Sequence, residues 1–391
     1  MTRDNRLMAL SLLLWGMGDG LFLYIQPLYL KQLGADPKAI GAILALAGIA
    51  AAVSHIPAGY VADRFGRKGV LIAGWAMGVL AAALMYFAPG LPLFVAGLLL
   101  YTFTGFVLAP INAYITEARG PQSVQRVMTL VSAGFWAGSV VSPTLGGLIG
   151  RWFGLRQVYG ASVIAFVIST VVILLLRPQP ISPPQTGSTR YGALFHNRRF
   201  IGFLLLTLAA LCAMEVGMPF APNFVQEVRD FNVDVVGVLG SINSLGVVLL
   251  NVALGQRTPR RGFMLGQILM MLYLTLLLTL PGFGWLAVAY FFRSGWNLTR
   301  NMAAAQVGRV VEKPEMGMAF GLTETMTALA LIVGPWVAGT LYKISPALPF
   351  QTSLALIAVT LPLVWLFAPQ RDAHSAEQAA VPVVEDTREG V

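Results

Sequence analysis

Acid, cysteine and charge of any kind are scarce in this chain. Its 391 residues include 17 Asp or Glu, 3 His and 1 Cys, and charged residues make up 11% of the whole, against about 25% in a soluble domain. The lone Cys212 excludes an intramolecular disulfide; inside an apolar run, it reads as small core filler. His55, His196 and His374 have no metal-ligand spacing, and no HExxH, Cys/His set or nucleotide loop occurs. An enzyme would need a cluster of nucleophile, base or metal ligands, so catalysis, metal and cofactor are all unexpected.

Apolar residues take the place of charge. The chain is 57% hydrophobic, with a mean hydropathy of +0.72. Lipid is the expected solvent for most of it. Its 41 glycines suit membrane helices, whose backbones pack closely. The net charge of +9 sits at the ends of apolar runs, where it sets orientation, so no nucleic-acid partner is expected.

Twelve apolar spans are predicted, near residues 7–30, 38–60, 70–88, 92–114, 126–149, 158–176, 199–222, 234–256, 262–280, 284–306, 316–341 and 349–368. Each approaches the ~20 residues that cross the hydrocarbon as a helix, and open strands would leave backbone groups unpaired in lipid. The first is too long for a signal-peptide core and no small-residue cleavage site follows, so it is expected to be retained. With the N-terminus inside, 18 of the 26 Lys and Arg lie on the inner side, 6 on the outer, and Arg293 and Arg300 within a span. That bias predicts both termini in the cytoplasm, of a bacterial inner membrane.

The longest internal connection holds PQPISPPQTGST and reads as a linker. It gives a division into 1–176, a linker 177–198, a second unit 199–368 and a disordered tail 369–391. An internal repeat agrees. SPTLGG (Ser142–Gly147) ends span 5 and GPWVAG (Gly334–Gly339) lies in span 11; Pro143 and Pro335 stand 192 residues apart (335 less 143), as do Pro27 and Pro219. Two copies of a six-helix unit are the simplest reading.

Between spans 2 and 3 stands GYVADRFGRK, Gly59 to Lys68, four charges and two glycines in an expected loop of a few residues. The pattern G-x-x-x-D-R-x-G-R-K resembles the signature loop between helices 2 and 3 of the major facilitator superfamily, and the resemblance runs over residues 7–368. GSVVSPTLGG, Gly138 to Gly147, resembles the span-5 motif of the drug/proton antiporter branch, with Ser142 replacing one glycine. The resemblance implies an all-α membrane protein of 12 helices in two pseudo-symmetric bundles, a monomer. It also implies alternating access to a small-molecule site with no cofactor, and protons as the coupling ion. Gly59, Asp63, Arg64, Gly66 and Arg67 would then gate the inner face, with Asp63 reaching the start of span 11 near Glu315 to Met318 and Arg67 pairing with Glu117. Gly138, Pro143, Gly146, Gly147, Gly334, Pro335 and Gly339 would kink and pack spans 5 and 11.

Ionisable groups deep in a bilayer are costly and are functional candidates by default. Asp19 stands twelve residues into span 1, hence ~18 Å deep. Glu215 of span 7 and Arg293 of span 10 have similar depth and are expected to pair, as are Arg300 and Glu324, which leaves Asp19 as the coupling carboxylate. Antiporters of the drug-export type carry an arginine where Tyr101 stands here; Arg293, in the repeat-related span, is its expected substitute. Tyr24, Gln26, Tyr101, Asn112, Asn243, Trp296 and Asn297 are cavity candidates. The expected activity is proton-coupled efflux of a small hydrophobic or amphipathic molecule. A nutrient importer and a lipid translocator remain open alternatives on the same fold; a membrane enzyme or sensor is the reading of a different class.

Overall fold

The computed structural model describes residues 1–179, 197–254, 258–307, 310–311 and 316–368, except the side chains of 55–65, 125, 316 and 317. Most of the expected linker and the whole tail 369–391 lie outside the described residues, as do His196 and His374. No strand occurs among the described residues. All twelve spans form. Span 2 is Pro37–Phe65, span 3 Arg67–Phe87, span 5 Val124–Phe153, span 6 Leu155–Leu174, span 8 Val233–Leu254, span 9 Pro259–Thr279, span 11 Met316–Ile344 and span 12 Leu348–Phe367. The other four are interrupted: span 1 is Arg3–Leu23 with Gln26–Gln32, span 4 Leu91–Phe103 with Leu108–Glu117, span 7 Arg198–Glu215 with Ala221–Glu227, and span 10 Phe283–Arg293 with Gly295–Val307.

Local chemistry places the breaks. A proline lacks N–H and its ring collides with the carbonyl four residues back. Pro27 and Pro219 meet Leu23 and Glu215 in this way, and those are the last residues of their helices. In span 4 a 3₁₀ turn, Thr104–Val107, precedes Pro110, and the Thr104 hydroxyl donates to the Tyr101 carbonyl at 2.6 Å. In span 10 the Ser294 hydroxyl donates to the Phe291 carbonyl at 2.6 Å, ahead of Gly295. The breaks obey the repeat: Leu23 and Glu215 are 192 apart, as are Tyr101 and Arg293.

The stretch Gly59–Lys68 departs from the expected loop. Helix continues to Phe65, Gly66 alone interrupts it with φ +78°, and span 3 begins at Arg67. Only glycine holds that left-handed backbone without strain.

The start of span 1 and the end of span 12 lie on one face, called here the terminal face; the opposite one is the far face. Spans 1, 3, 4, 5 and 6 pack together with span 2, and spans 7, 9, 10 and 12 with 8 and 11. The two halves meet along span 5 with span 8 and span 2 with span 11. The largest buried cluster crosses between halves and includes Tyr24, Tyr29, Phe220, Phe224 and Tyr342. Two smaller clusters each stay within one half: Met8, Trp75 and Tyr114 in the first, Phe200, Phe263 and Met302 in the second.

On the far face the halves are tied by charge. Lys31 pairs with Glu227 at 2.7 Å, Lys343 with Asp36 at 2.7 Å, and Arg151 with Asp234. The Tyr342 hydroxyl adds a bond to Glu227 at 2.9 Å. These contacts tie the two halves to each other on the far face.

Candidate functional site

The breaks in spans 1, 7 and 10 open onto one cavity of about 460 Å³ between the halves. Tyr24 and Gln26 line it from span 1, Glu215 and Met218 from span 7, Asn243 from span 8, and Arg293, Trp296 and Asn297 from span 10; spans 2, 4 and 11 add Leu44, Gly48, Thr102, Leu331 and Pro335. Of the seven cavity candidates named above, Tyr24, Gln26, Asn243, Trp296 and Asn297 are on the wall. Tyr101 and Asn112 are not among its lining residues; Asn112 is exposed elsewhere on span 4.

Arg293 and Glu215 share this wall without forming the expected ion pair: their charged atoms are not among the described contacts within 4 Å. Instead Arg293 Nη1 donates to Asn243 Oδ1 at 2.8 Å, and the Tyr24 hydroxyl donates to the same oxygen at 2.8 Å. The guanidinium also stands over the Tyr24 ring at 5.5 Å and the Tyr290 ring at 5.8 Å, positions that attract a cation electrostatically. Tyr24, Asn243 and Arg293 thus join span 1 to spans 8 and 10 across the two halves. Glu215 is 6% exposed, and its Oε2 has no hydrogen-bond partner. Asn243 Nδ2 and Arg293 Nε are donors without partners.

Asp19 is placed differently. It is half-buried and absent from the cavity wall, and it accepts a 2.6 Å hydrogen bond from the Tyr101 hydroxyl. Aromatic rings surround that bond: Tyr101 stacks on Trp15 (centroids 6.3 Å apart) and Phe166 (5.7 Å) and meets Phe22 edge-on (5.2 Å). The carboxylate left without a basic partner in the sequence reading has a phenolic one. Thr102, next to Tyr101, reaches the cavity.

The other expected residues separate. Arg300 and Glu324 do pair, at 2.7 Å, but Arg300 is half-buried, Glu324 is exposed, and both lie outside the cavity wall. Arg67 stands 3.9 Å from Glu117 and donates to Gln179 Oε1 at 3.2 Å and to the Ala113 carbonyl at 3.4 Å. Gly59, Asp63 and Arg64 lie in the last turns of span 2, where side chains are outside the described residues; Glu315 is outside them altogether. In span 5, Gly138 and Gly146 face span 1, and a Cβ on either would strike backbone at Leu13 or Leu21. Gly147 faces Asp234 and Gly237 of span 8 across the interface, and Gly339 faces Pro37 and Gly41 of span 2. Pro143 and Pro335 sit inside spans 5 and 11. Gly334 instead makes room for the site itself, since a Cβ there would lie 2.5 Å from Cγ of Glu215.

Sequence reasoning missed the three far-face ion pairs, because Lys31, Arg151 and Lys343 were explained as orientation charges. One signal was available: Arg151 and Lys343 stand 192 apart, like the prolines below them.

A family model described as Major Facilitator Superfamily matches residues 8–256 and 203–386. The chain is 22% identical over 365 residues to Multidrug resistance protein 1 of Bacillus subtilis (strain 168), covering 89% of this chain and 92% of that one. It is 24% identical over 397 residues to the class C tetracycline resistance protein of Escherichia coli, covering 96% and 99%. Among solved structures, the nucleoside transporter NupG superposes with a TM-score of 0.78 at 17% identity, over 93% of this chain and 98% of that one. At that identity the likeness shows the fold.

Proposed function

The chain belongs to the Major Facilitator Superfamily, and on that footing we propose that this multi-pass membrane transporter exports a small hydrophobic or amphipathic molecule in exchange for protons. The names of its relatives, drug and tetracycline resistance proteins, are in keeping with the drug/proton antiporter branch. The observation that carries the reading is the cavity between the halves, lined by residues with unpartnered polar atoms, with ion pairs tying the halves on the far face. The terminal face is cytoplasmic, the membrane is a bacterial inner membrane, and the protein works as a monomer. Alternating access follows from the seams: spans 5 and 8, and spans 2 and 11, part on the far face while the terminal face closes.

Asp19 is the proton carrier in this scheme and Glu215 with Arg293 the substrate element. Protonation of Asp19 removes the charge that the Tyr101 hydroxyl stabilises, and the response passes along span 4 to its break at Thr104, beside the cavity-lining Thr102. In proteoliposomes with an imposed pH difference, Asp19→Asn is expected to abolish proton-driven transport while the protein stays folded. Full activity in that variant sinks the assignment, and substrate moving in the same direction as protons turns the reading to import.

A further inference from the structure

Three charged or amide residues of the cavity wall carry unpartnered polar atoms of opposite kind, an acceptor on Glu215 and donors on Asn243 and Arg293. The acceptor set is Glu215, 6% exposed, whose Oε2 has no partner and which no described cation approaches within 4 Å. Trp296 stands beside Glu215, its indole N–H turned toward the carboxylate. The donor set is Asn243 and Arg293. Tyr24 and Arg293 both donate to Asn243 Oδ1, which turns its amide so that Nδ2, on a residue 4% exposed, is left as a free donor; Arg293 Nε is a second. The rest of the wall is mostly apolar, with Leu44, Met218, Leu331 and Pro335, and adds the polar Gln26, Thr102 and Asn297.

A buried donor or acceptor left unpaired costs roughly 1–3 kcal/mol, more when charged. Such atoms on residues that line a cavity therefore mark where a ligand's polar groups go. Glu215 and Arg293 also cancel in charge. A monovalent cation seated at Glu215 would leave the donor set unpaired and would face the guanidinium; a lone anion would face Glu215.

Resting on the exporter reading above, we infer that the cavity takes a molecule with no net charge and two polar ends. A hydrogen-bond donor or ammonium goes to Glu215, an acceptor or carboxylate goes to Asn243 and Arg293, and an apolar body lies between. A lipophilic cation without an acceptor is a poorer ligand.

Three probes with one aromatic body separate the cases: para-(aminobutyl)benzoate with both ends, phenylbutylamine without the carboxylate, and para-butylbenzoate without the amine. Affinity for the purified full chain in nanodiscs is read from thermal stabilisation across a titration. The two-ended probe is expected to bind about tenfold more tightly than either one-ended probe, one charge-assisted hydrogen bond being worth that factor. Glu215→Gln is expected to remove its advantage over para-butylbenzoate, and Asn243→Ala most of its advantage over phenylbutylamine. If phenylbutylamine binds as well as the two-ended probe, or if no probe is preferred, the inference is overturned; the wild-type ranking decides this even where a variant fails to fold. Proton-driven efflux measured in parallel separates the two readings. Efflux with the wrong ranking leaves the exporter and removes this ligand class, whereas the right ranking without proton-driven efflux does the reverse.

Discussion

Glu215 sits where helix electrostatics disfavour it. It ends Arg198–Glu215, and carbonyl groups concentrate negative charge at a helix C-terminus, where a cation is favoured by about 0.3–1 kcal/mol and an anion is not. Arg293, ending Phe283–Arg293, has the favourable sign. A misplaced carboxylate that persists is the pattern expected of a functional group. Its room comes from Gly334, where a Cβ would lie 2.5 Å from Glu215 Cγ and 2.7 Å from its Cβ. Gly334→Ala should therefore cost roughly 1–3 kcal/mol of stability through overpacking, and less in a Glu215→Gly background, which removes both side-chain atoms. An equal penalty in both backgrounds, measured by unfolding in detergent, would show that Glu215 is not what the glycine accommodates. Residue depth was legible in the sequence: counting along spans put Glu215 and Arg293 at one level, and both reach the cavity. Depth does not report rotation about the helix axis. That missing angle is why the expected ion pair gives way to an Arg293–Asn243 bond, and why Tyr101 as the partner of Asp19 could not be read.

At the scale of elements, the twelve spans were legible because an apolar run of bilayer length has few other uses. Their interruptions were only half legible. Pro27 and Pro219 were visible as markers of the repeat, yet they also end two helices; the break in span 10 rests on the Ser294 hydroxyl, which no proline announces. The far-face ties belong to this scale as well. Asp36 caps the start of span 2 and receives Lys343 of span 11. The hydrogen bond from Lys343, and after it the Ala39 N–H, hold its carboxyl below the ordinary carboxylate range. A lowered value means that the tie contributes above the ordinary carboxylate pKa of about 3.9 and is lost as pH falls through the lowered one. It is intact at neutral pH and released only in strong acid. Asp36→Asn imitates the acid state, and as an exposed pair its loss should shift the halves only a few-fold toward far-face opening. In a Cys212→Ser chain with Ala47→Cys on the cavity wall as reporter, an impermeant thiol reagent applied from the far face should react faster when Asp36→Asn is added. An unchanged rate would mean that this pair does not help hold the face shut.

At the scale of the molecule, two copies of one six-helix plan face each other, and the plan was visible as four prolines at one spacing. Which seams join the copies was not visible, because glycines serve equally to pack helices inside a half and between halves. Gly146 and Gly147 show both uses in adjacent residues, the first against span 1 and the second against span 8. The span 5–8 seam offers a direct test of rocking. Thr144 and Ser241 face each other across it with hydroxyls 2.7 Å apart. In a Cys212→Ser background, Thr144→Cys with Ser241→Cys should form a disulfide under oxidation that stops transport, and reduction should restore it. Transport that continues through the linked protein would rule out separation of these helices as a step of the cycle.

The cancelling charges of Glu215 and Arg293 also bear on energetics. On the proposed exchange, a neutral cargo leaving against one entering proton would move a net unit of charge per cycle, so the voltage would work together with the acidity difference. Each 100 mV then adds about 2.3 kcal/mol to the driving force. Such a pump keeps running on voltage alone where outside and inside have equal pH, a regime in which a one-for-one swap of proton and monovalent cation would stall.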